Sequence, residues 1–267
     1  MAENPYLALT REFNRGALRA VISSGQAVVL HRLAVMSKDG DWILLEDPSA
    51  LDHVIGVLGD RGARYRFGAP LDVRWMAGGW SAHFEFRANG YRVRTDFVTR
   101  PPRLSTDDVR RVFAAFSPDE IPFLDAPRLA LVKRTNREKD YAVIGELARV
   151  MTDPSDRLRH SRSARDLADL ASAHPEAARR LAVERPLLAL LGRRREEIET
   201  ALDAERRAFM KANEDRLARY ASAARAWMAA WPEAERATSG LPLREAHREL
   251  VRRAEGCLPF VPSEGLS

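Results

Sequence analysis

The sequence predicts an α+β protein in which a mixed sheet flanked by helices is followed by an α-helical C-terminal domain. Apolar and polar residues alternate on both sides of Asn89-Gly90, the pattern of two strands joined by a tight type I′ turn. Between Leu51 and Leu58 the apolar residues recur at the spacing of one helix face. From about residue 125 onward, almost every segment has helical periodicity.

In the N-terminal part, strand and helix patterns alternate. Thr10 caps a predicted helix that runs to about Arg19, and a helix begins at Gly25 after a short strand. The predicted elements that follow are a strand over 40–47, a helix over 49–62 with Ser49 as N-cap and Gly62 as stop, β-structure over 70–76, the hairpin over 81–98, and a capped helix over 105–116.

The C-terminal part is predicted to be helical, with helical patterns over 126–151 and 163–173, a long pattern that ends at Pro232, and a last helix after it. The change of character near residues 150–160 predicts two domains, 1–150 and 151–267. Trp227 and Trp231 are four residues apart and are expected to pack in a helical core.

The composition excludes several classes. The net charge is +5, but acidic and basic residues are interleaved, without the long basic block typical of nucleic-acid binders. The single cysteine, Cys257, can form no internal disulfide and belongs to no zinc-ligand spacing. No signal-peptide pattern and no apolar run of about 20 residues is present, so we expect a cytoplasmic protein without a membrane partner.

Asp39 and Asp41 are separated by one glycine at the start of an apolar strand. Residues at i and i+2 of a strand point to the same face, so the two carboxylates can converge on a hard cation such as Mg²⁺. Asp96, at the end of the later alternating strand, is the candidate for a third ligand. The alternative is that Lys38–Asp41 forms an ordinary turn, which these residue types also favour.

Upstream, Ser23-Ser24-Gly25 lies between a strand and a helix. Backbone N–H groups at such a turn favour anions, and glycine permits close approach of a phosphate. A phosphate turn followed by a metal site is the equipment for in-line nucleotidyl transfer. An ordinary helix cap at Ser24 is the alternative.

Residues 23–44 resemble the glycine turn, helix and Asp-x-Asp strand of the nucleotidyltransferase superfamily related to DNA polymerase beta. The most similar members are small bacterial antitoxin-type, abortive-infection-type and aminoglycoside nucleotidyltransferases, and the resemblance covers roughly residues 10–150. Asp39 and Asp41 match the aspartate pair, Lys38 fits the position before it, and Asp96 matches the third aspartate. The family usually has Gly-Gly or Gly-Ser where this chain has Ser24-Gly25.

The resemblance implies Mg²⁺-dependent transfer of a nucleoside monophosphate from an NTP, with ATP as first candidate, to an acceptor hydroxyl. By the same resemblance, Lys133 or Lys139 neutralises nucleotide phosphate and Asp140 braces the helix that follows. A solvated basic face is the alternative for these lysines. The acceptor stays open between RNA, a small molecule and a protein.

The altered glycine pair leaves room for a second function. The domain would then be a non-catalytic nucleotidyltransferase fold that serves as a binding or toxin–antitoxin interaction module. The C-terminal helices are the candidate surface for a protein partner.

Overall fold

The computed structural model of the protein describes residues 4–262. The strands are β1 (Ala20–Ser23), β2 (Asp39–Leu44), β3 (Arg64–Tyr65), β4 (Ala82–Ala88) and β5 (Tyr91–Val98). The α-helices are α1 (Pro5–Phe13), α2 (Ser24–Leu30), α3 (Pro48–Asp60), α4 (Val73–Met76), α5 (Thr106–Ala114), α6 (Ala126–Val132), α7 (Glu138–Val150), α8 (Pro154–His160), α9 (Ala164–Ala173), α10 (Pro175–Leu181), α11 (Arg195–Ala223), α12 (Arg225–Thr238) and α13 (Leu243–Ala254). A 3₁₀ helix covers Pro186–Leu190.

The chain divides into two compact units. The sheet unit contains the residues up to Leu30, Val35–Leu124, and the residues from Leu217 onward. The helical unit contains His31–Ala34 and Asp125–Arg216. This grouping differs from the predicted division at residue 150, because α6 and α7 belong with the helices after them and α12 and α13 belong with the sheet.

The sheet has the strand order β1-β2-β5-β4-β3. Strands β2 and β5 are parallel, whereas the other neighbouring pairs are antiparallel. This mixed sheet with flanking helices confirms the predicted α+β class. The predicted hairpin is also confirmed: Asn89 and Gly90 both have positive φ, as a type I′ turn requires.

Aromatic side chains fill the core on one face of the sheet. The rings of Trp42 on β2 and Phe97 on β5 stack with centroids 5.4 Å apart, and Phe13 of α1 packs edge-on against both. All three are fully buried, and the Trp42 indole N–H donates to the Thr10 hydroxyl at 2.9 Å. Because strand side chains alternate between faces, this packing leaves the neighbouring positions of β2 and β5 on the opposite, open face.

The predicted start of the first helix at Thr10 is wrong. The Asn4 side chain accepts a hydrogen bond from the Tyr6 N–H, and Pro5 occupies the first turn, so the helix begins before Thr10. Thr10 is buried within α1, where its hydroxyl donates to the Tyr6 carbonyl. A similar shift occurs in α3, which Asp47 caps instead of Ser49.

Two further predictions fail for local reasons. Residues 70–76 are not a strand, because Asp72 caps the short helix α4 through the Arg74 N–H. The helical pattern also does not end at Pro232, since α12 continues to Thr238 with Trp231 and Ala234 buried on either side of the proline. The predicted packing of Trp227 and Trp231 is confirmed, as both are buried and in edge-to-face contact.

The segment after α13 is fastened to the sheet unit by two tryptophans. The Trp75 indole N–H donates to the Leu258 carbonyl at 3.0 Å, and the Trp80 indole N–H donates to the Pro259 carbonyl at 2.9 Å. The Phe260 ring also packs edge-on against Trp75.

The helical unit has its own core and its own buried ion pairs. Leucines from α8, α9 and α10 pack together with residues of the 3₁₀ helix and α11. Beside them the Glu205 carboxylate accepts from Arg185 at 2.9 Å and pairs with Arg162. Within residues 4–262, none of the helices combines the length and the apolar character needed to cross a bilayer.

We expect Gly40→Ala to destabilise the sheet unit by roughly 1–3 kcal/mol. A Cβ at Gly40 would lie 2.4–2.6 Å from ring carbons of Trp42 and Tyr6, which are buried. Gly59→Ala in α3 is the matched control, because its Cβ would meet only Leu243 at 3.6 Å and alanine favours helices. Denaturant unfolding measures both; equal stability of the two variants would contradict this packing.

Candidate active site on the open sheet face

The open face of the sheet presents rows of polar residues that run across the strands. In the first row, successive Cα partners on β1, β2, β5 and β4 are Ser23, Asp41, Asp96 and His83. In the second row, successive partners on β2, β5, β4 and β3 are Asp39, Arg94, Glu85 and Arg64. The three aspartates that the sequence singles out therefore lie on one face of the adjacent parallel strands β2 and β5, with Asp41 and Asp96 as Cα partners.

Asp39 carries a buried oxygen that lacks a hydrogen bond. Its Oδ1 atom has no hydrogen-bond partner among the described residues, and the nearest recorded cation is the Arg94 Nη1, 3.9 Å away. The Arg94 guanidinium gives this oxygen an ion-pair partner but no hydrogen bond, and the Asp39 side chain is 42% exposed, so the carboxylate can accept a further ligand. A cation at the Asp39 carboxylate would be such a ligand.

Asp96 is held by two donors on β4 and beside β3. The His83 Nδ1 lies 2.7 Å from its Oδ1, and the Arg66 Nη1 lies 3.3 Å from the same oxygen. The other ring nitrogen of His83, Nε2, lies 2.9 Å from the Ser81 hydroxyl. If that hydroxyl donates to Nε2, the proton sits on Nδ1 and is donated to Asp96. Both contacts use Oδ1 and neither uses Oδ2, so the carboxylate is oriented while one oxygen is left to other contacts.

The carboxylate oxygens of Asp39, Asp41 and Asp96 are the type of ligand that Mg²⁺ prefers. Nevertheless, no group of three or more His, Cys, Asp or Glu side chains within residues 4–262 is gathered closely enough to hold a metal ion. The Asp39 oxygen that makes no hydrogen bond favours a fit to Mg²⁺. Two observations count against a preformed metal site: the carboxylates are not close enough together, and Asp96 already pairs with His83 and Arg66.

The Ser24–Gly25 turn lies where β1 leads into α2, next to Asp41 through the pairing of Ser23. Ser24 has a φ of 51°, a left-handed conformation that a residue with a side chain rarely adopts. A Cβ on Gly25 would lie 2.2 Å from the Ser37 hydroxyl oxygen. A side chain at position 25 would therefore force Ser37, in the segment that precedes β2, to move, and glycine avoids this.

Two buried side chains that sequence reasoning missed hold this segment. The Gln26 amide donates to the Ser37 carbonyl at 3.1 Å, and the Tyr6 hydroxyl donates to the Lys38 carbonyl at 2.6 Å. Burial, followed by the negative charges of Asp39 and Asp41, raises the pKa of the Tyr6 phenol. The Tyr6 phenol therefore lies close enough to Asp39 and Asp41 for their negative charge to disfavour its ionised form.

Lys38 and the two predicted lysines of the helical unit have different surroundings. Lys38 and Lys139 are exposed. Lys133 is buried, and its ammonium lies 3.2 Å from the Asp140 carboxylate, which is also buried. From this pairing we expect Lys133 to stabilise its own unit.

Asp140 stands at the start of α7, the bracing position that the resemblance implies. Besides Lys133, its carboxylate accepts from the Thr135 hydroxyl at 2.6 Å and from the Arg137 Nε at 2.8 Å. Burial by itself raises the pKa of Asp140. The hydrogen bond from Thr135 and the charges of Lys133 and Arg137 outweigh that effect, so the pKa lies below its ordinary value of 3.8.

Sequence patterns carry little information about the residues that orient the site. His83 belongs to the alternating pattern of β4, but its bond to Asp96 follows only from the strand register. Arg66 and Tyr6 lie in segments without a motif. Gln26 directly follows the Ser24–Gly25 turn, and this position is the only feature of the sequence that links one of these residues to the site.

Comparisons of the chain with models of protein families, with curated proteins and with solved structures found no match.

We expect Lys133→Met to lower the free energy of unfolding by roughly 3 kcal/mol, because it leaves the buried Asp140 carboxylate without its ammonium partner. Lys139→Met, at an exposed position of the same region, should change stability by less than about 0.5 kcal/mol. Chemical denaturation followed by circular dichroism measures both. Equal, small effects would contradict the structural role of Lys133.

We also expect Asp140 to make stability depend on pH in acid. Because its folded pKa is depressed, its contribution is fully present above 3.8 and is lost as the pH falls through the lower folded value. Asp140→Asn should therefore be less stable at pH 7 and should show a shallower loss of stability below about pH 4. Asp169→Asn, an exposed change on α9, should follow the unmodified protein. Parallel pH profiles for all three would contradict this assignment.

Proposed function

We propose that the sheet unit is a metal-dependent nucleotidyltransferase that moves a nucleoside monophosphate from an NTP to an acceptor hydroxyl and releases pyrophosphate. The observation that carries this proposal is the first row of the open face, where Asp41 on β2 and Asp96 on β5 are neighbours and Ser23 leads into the glycine turn. Asp39 adds a carboxylate with one oxygen that makes no hydrogen bond among the described residues.

In this proposal, Asp39 and Asp41 hold Mg²⁺ with Asp96 as third ligand, and the backbone at Ser24 and Gly25 binds the outer phosphates. Mg²⁺, when bound, neutralises phosphate charge and favours departure of pyrophosphate. Lys38, exposed beside the aspartate pair, is available to the same phosphates. ATP is the first candidate among the NTPs.

Asp96 has the further role of proton acceptor. The acceptor oxygen forms a bond to the α-phosphorus, the bond from that phosphorus to pyrophosphate breaks, and the acceptor proton passes to the Asp96 carboxylate. His83 and Arg66 keep the carboxylate oriented through Oδ1. The acceptor itself stays open between RNA, a small molecule and a protein side chain.

The second candidate function is a non-catalytic binding or toxin–antitoxin interaction module on the same fold. Two observations favour it: Asp96 is already paired with His83 and Arg66, and the carboxylates of the described residues form no ready metal cluster. The C-terminal helices would then present the surface for a protein partner.

We expect the purified protein to bind a non-hydrolysable NTP only when Mg²⁺ is present, and Asp41→Asn to abolish this binding while the fold is retained. Asn keeps the size of the side chain but removes the charge that a cation needs. Calorimetric titration with each NTP analogue, with and without Mg²⁺, makes the measurement. Circular dichroism verifies folding.

Asp47→Asn is the matched control, because Asp47 caps α3 and lies outside the three-aspartate group. It should keep Mg²⁺-dependent binding. Absence of binding by every NTP analogue to the folded, unmodified protein would refute the enzymatic proposal and favour the interaction module.

A further inference from the structure

A second charged site lies on the open sheet face, beyond the aspartates. A cleft of about 600 Å³ is lined by Arg61, Arg64, Glu85, Arg87 and Arg92, together with Gly62 and Phe86. It extends from the turn after α3 to the end of the β4–β5 hairpin. A volume of this size accommodates a small organic ligand as well as an inorganic ion.

Glu85 fixes two of these arginines in place. Its carboxylate is buried, and it accepts from Arg64 Nε at 3.0 Å and from Arg92 Nε at 2.7 Å, with a second bond from the Nη2 of each. Burial raises the pKa of Glu85, but the hydrogen bonds from Arg92 and Arg64 outweigh it and hold the pKa below its ordinary value. These bonds use the Nε and Nη2 edge of each guanidinium, so each Nη1 group is left to other contacts.

The cleft has an excess of positive charge. Arg61 pairs with Glu12, and Arg64 and Arg92 share the single carboxylate of Glu85. Arg87 is exposed and has no recorded ion-pair partner among residues 4–262. Four guanidinium groups therefore face two carboxylates, and two of the four are oriented before any ligand binds.

We propose that this arginine cleft binds the phosphate groups of an anionic ligand. Guanidinium groups pair with phosphate oxygens through two parallel N–H bonds, and such charge-assisted bonds are about twice as strong as neutral ones. Several donors that converge from three segments suit the oxygens of a tetrahedral phosphate better than the flat edge of one carboxylate. Orientation by Glu85 lowers the entropy lost on binding.

The position of the cleft limits the ligand. Arg92 lies four residues before Asp96 on β5, which corresponds to about 13 Å along the strand. The proposed nucleotidyl transfer places the reacting hydroxyl of the acceptor at Asp96. A phosphate bound in the cleft is too far from Asp96 to be attached to the carbon next to that hydroxyl. The phosphate would belong either to the distant end of a small phosphate ester or to a phosphodiester chain. Arg94 lies on β5 between the cleft and Asp96.

Calorimetric titration of the full chain at low salt, with EDTA and without Mg²⁺, tests this inference. The probes are inorganic phosphate, glycerol 3-phosphate, a thymidine tetranucleotide without terminal phosphate, and malonate as a dicarboxylate whose charge is close to that of the two phosphate monoanion–dianion probes. We expect at least one phosphate probe to bind and malonate to bind about tenfold more weakly or not at all. Preference for the glycerol ester identifies a terminal phosphate group, whereas preference for the tetranucleotide identifies a phosphodiester chain.

Arg87→Ala should weaken binding of the preferred probe by about tenfold or more without loss of structure, because Arg87 supports no other side chain. Arg15→Ala, an exposed change of the same charge on the sheet unit, should leave affinity within about twofold. Equal losses in both variants, no loss in Arg87→Ala, equally tight malonate binding, or no binding of any phosphate probe would overturn the proposal.

Asp41→Asn separates this inference from the proposed function. Phosphate binding at the arginine cleft should survive that change, while Mg²⁺-dependent NTP binding should not. A protein that binds no NTP yet loses phosphate affinity in Arg87→Ala would refute the transferase proposal and retain the arginine cleft.

Discussion

The stacking of Trp42 on Phe97 is the contact on which the rest of the sheet unit depends. This stacked pair joins the two parallel strands at the centre of the sheet, and Phe13 of α1 packs edge-on against both rings. The side-chain period of a strand is two, so the buried rings dictate that Asp41 and Asp96, their preceding neighbours, face the other way. A slip of β5 by one residue would bury a carboxylate and expose an aromatic ring. Core packing thus sets the geometry of the polar face.

The open face separates its charges. The aspartates Asp39, Asp41 and Asp96 lie on the central strands β2 and β5, whereas the guanidinium groups of the cleft lie towards β3 and the β4–β5 hairpin. Arg94 stands between the two regions, 3.9 Å from Asp39. Such a gradient orients an anionic ligand before contact, because its phosphates are attracted to one end and repelled at the other unless a cation is bound there.

The parts of this structure that sequence could predict are those set by local pattern. The hairpin follows from alternation and Asn89-Gly90, and the shared face of Asp39 and Asp41 follows from strand geometry. The helix start predicted at Thr10 is wrong for two reasons: the local cap formed by Asn4 begins the helix earlier, and Thr10 is buried against Trp42, 32 residues away in sequence. The pairing of Lys133 with Asp140, in contrast, depends on how a turn between two helices closes, which no periodicity encodes.

The indole bonds of Trp75 and Trp80 to the backbone after α13 have an optical consequence. Both rings sit in an apolar environment that residues 258–260 help to close, so their fluorescence emission depends on that segment. Displacement of this segment would allow water to reach the two indoles and would move their emission to longer wavelength. Two of the five tryptophans therefore report, through their share of the intrinsic fluorescence, on whether the C-terminal segment is in place.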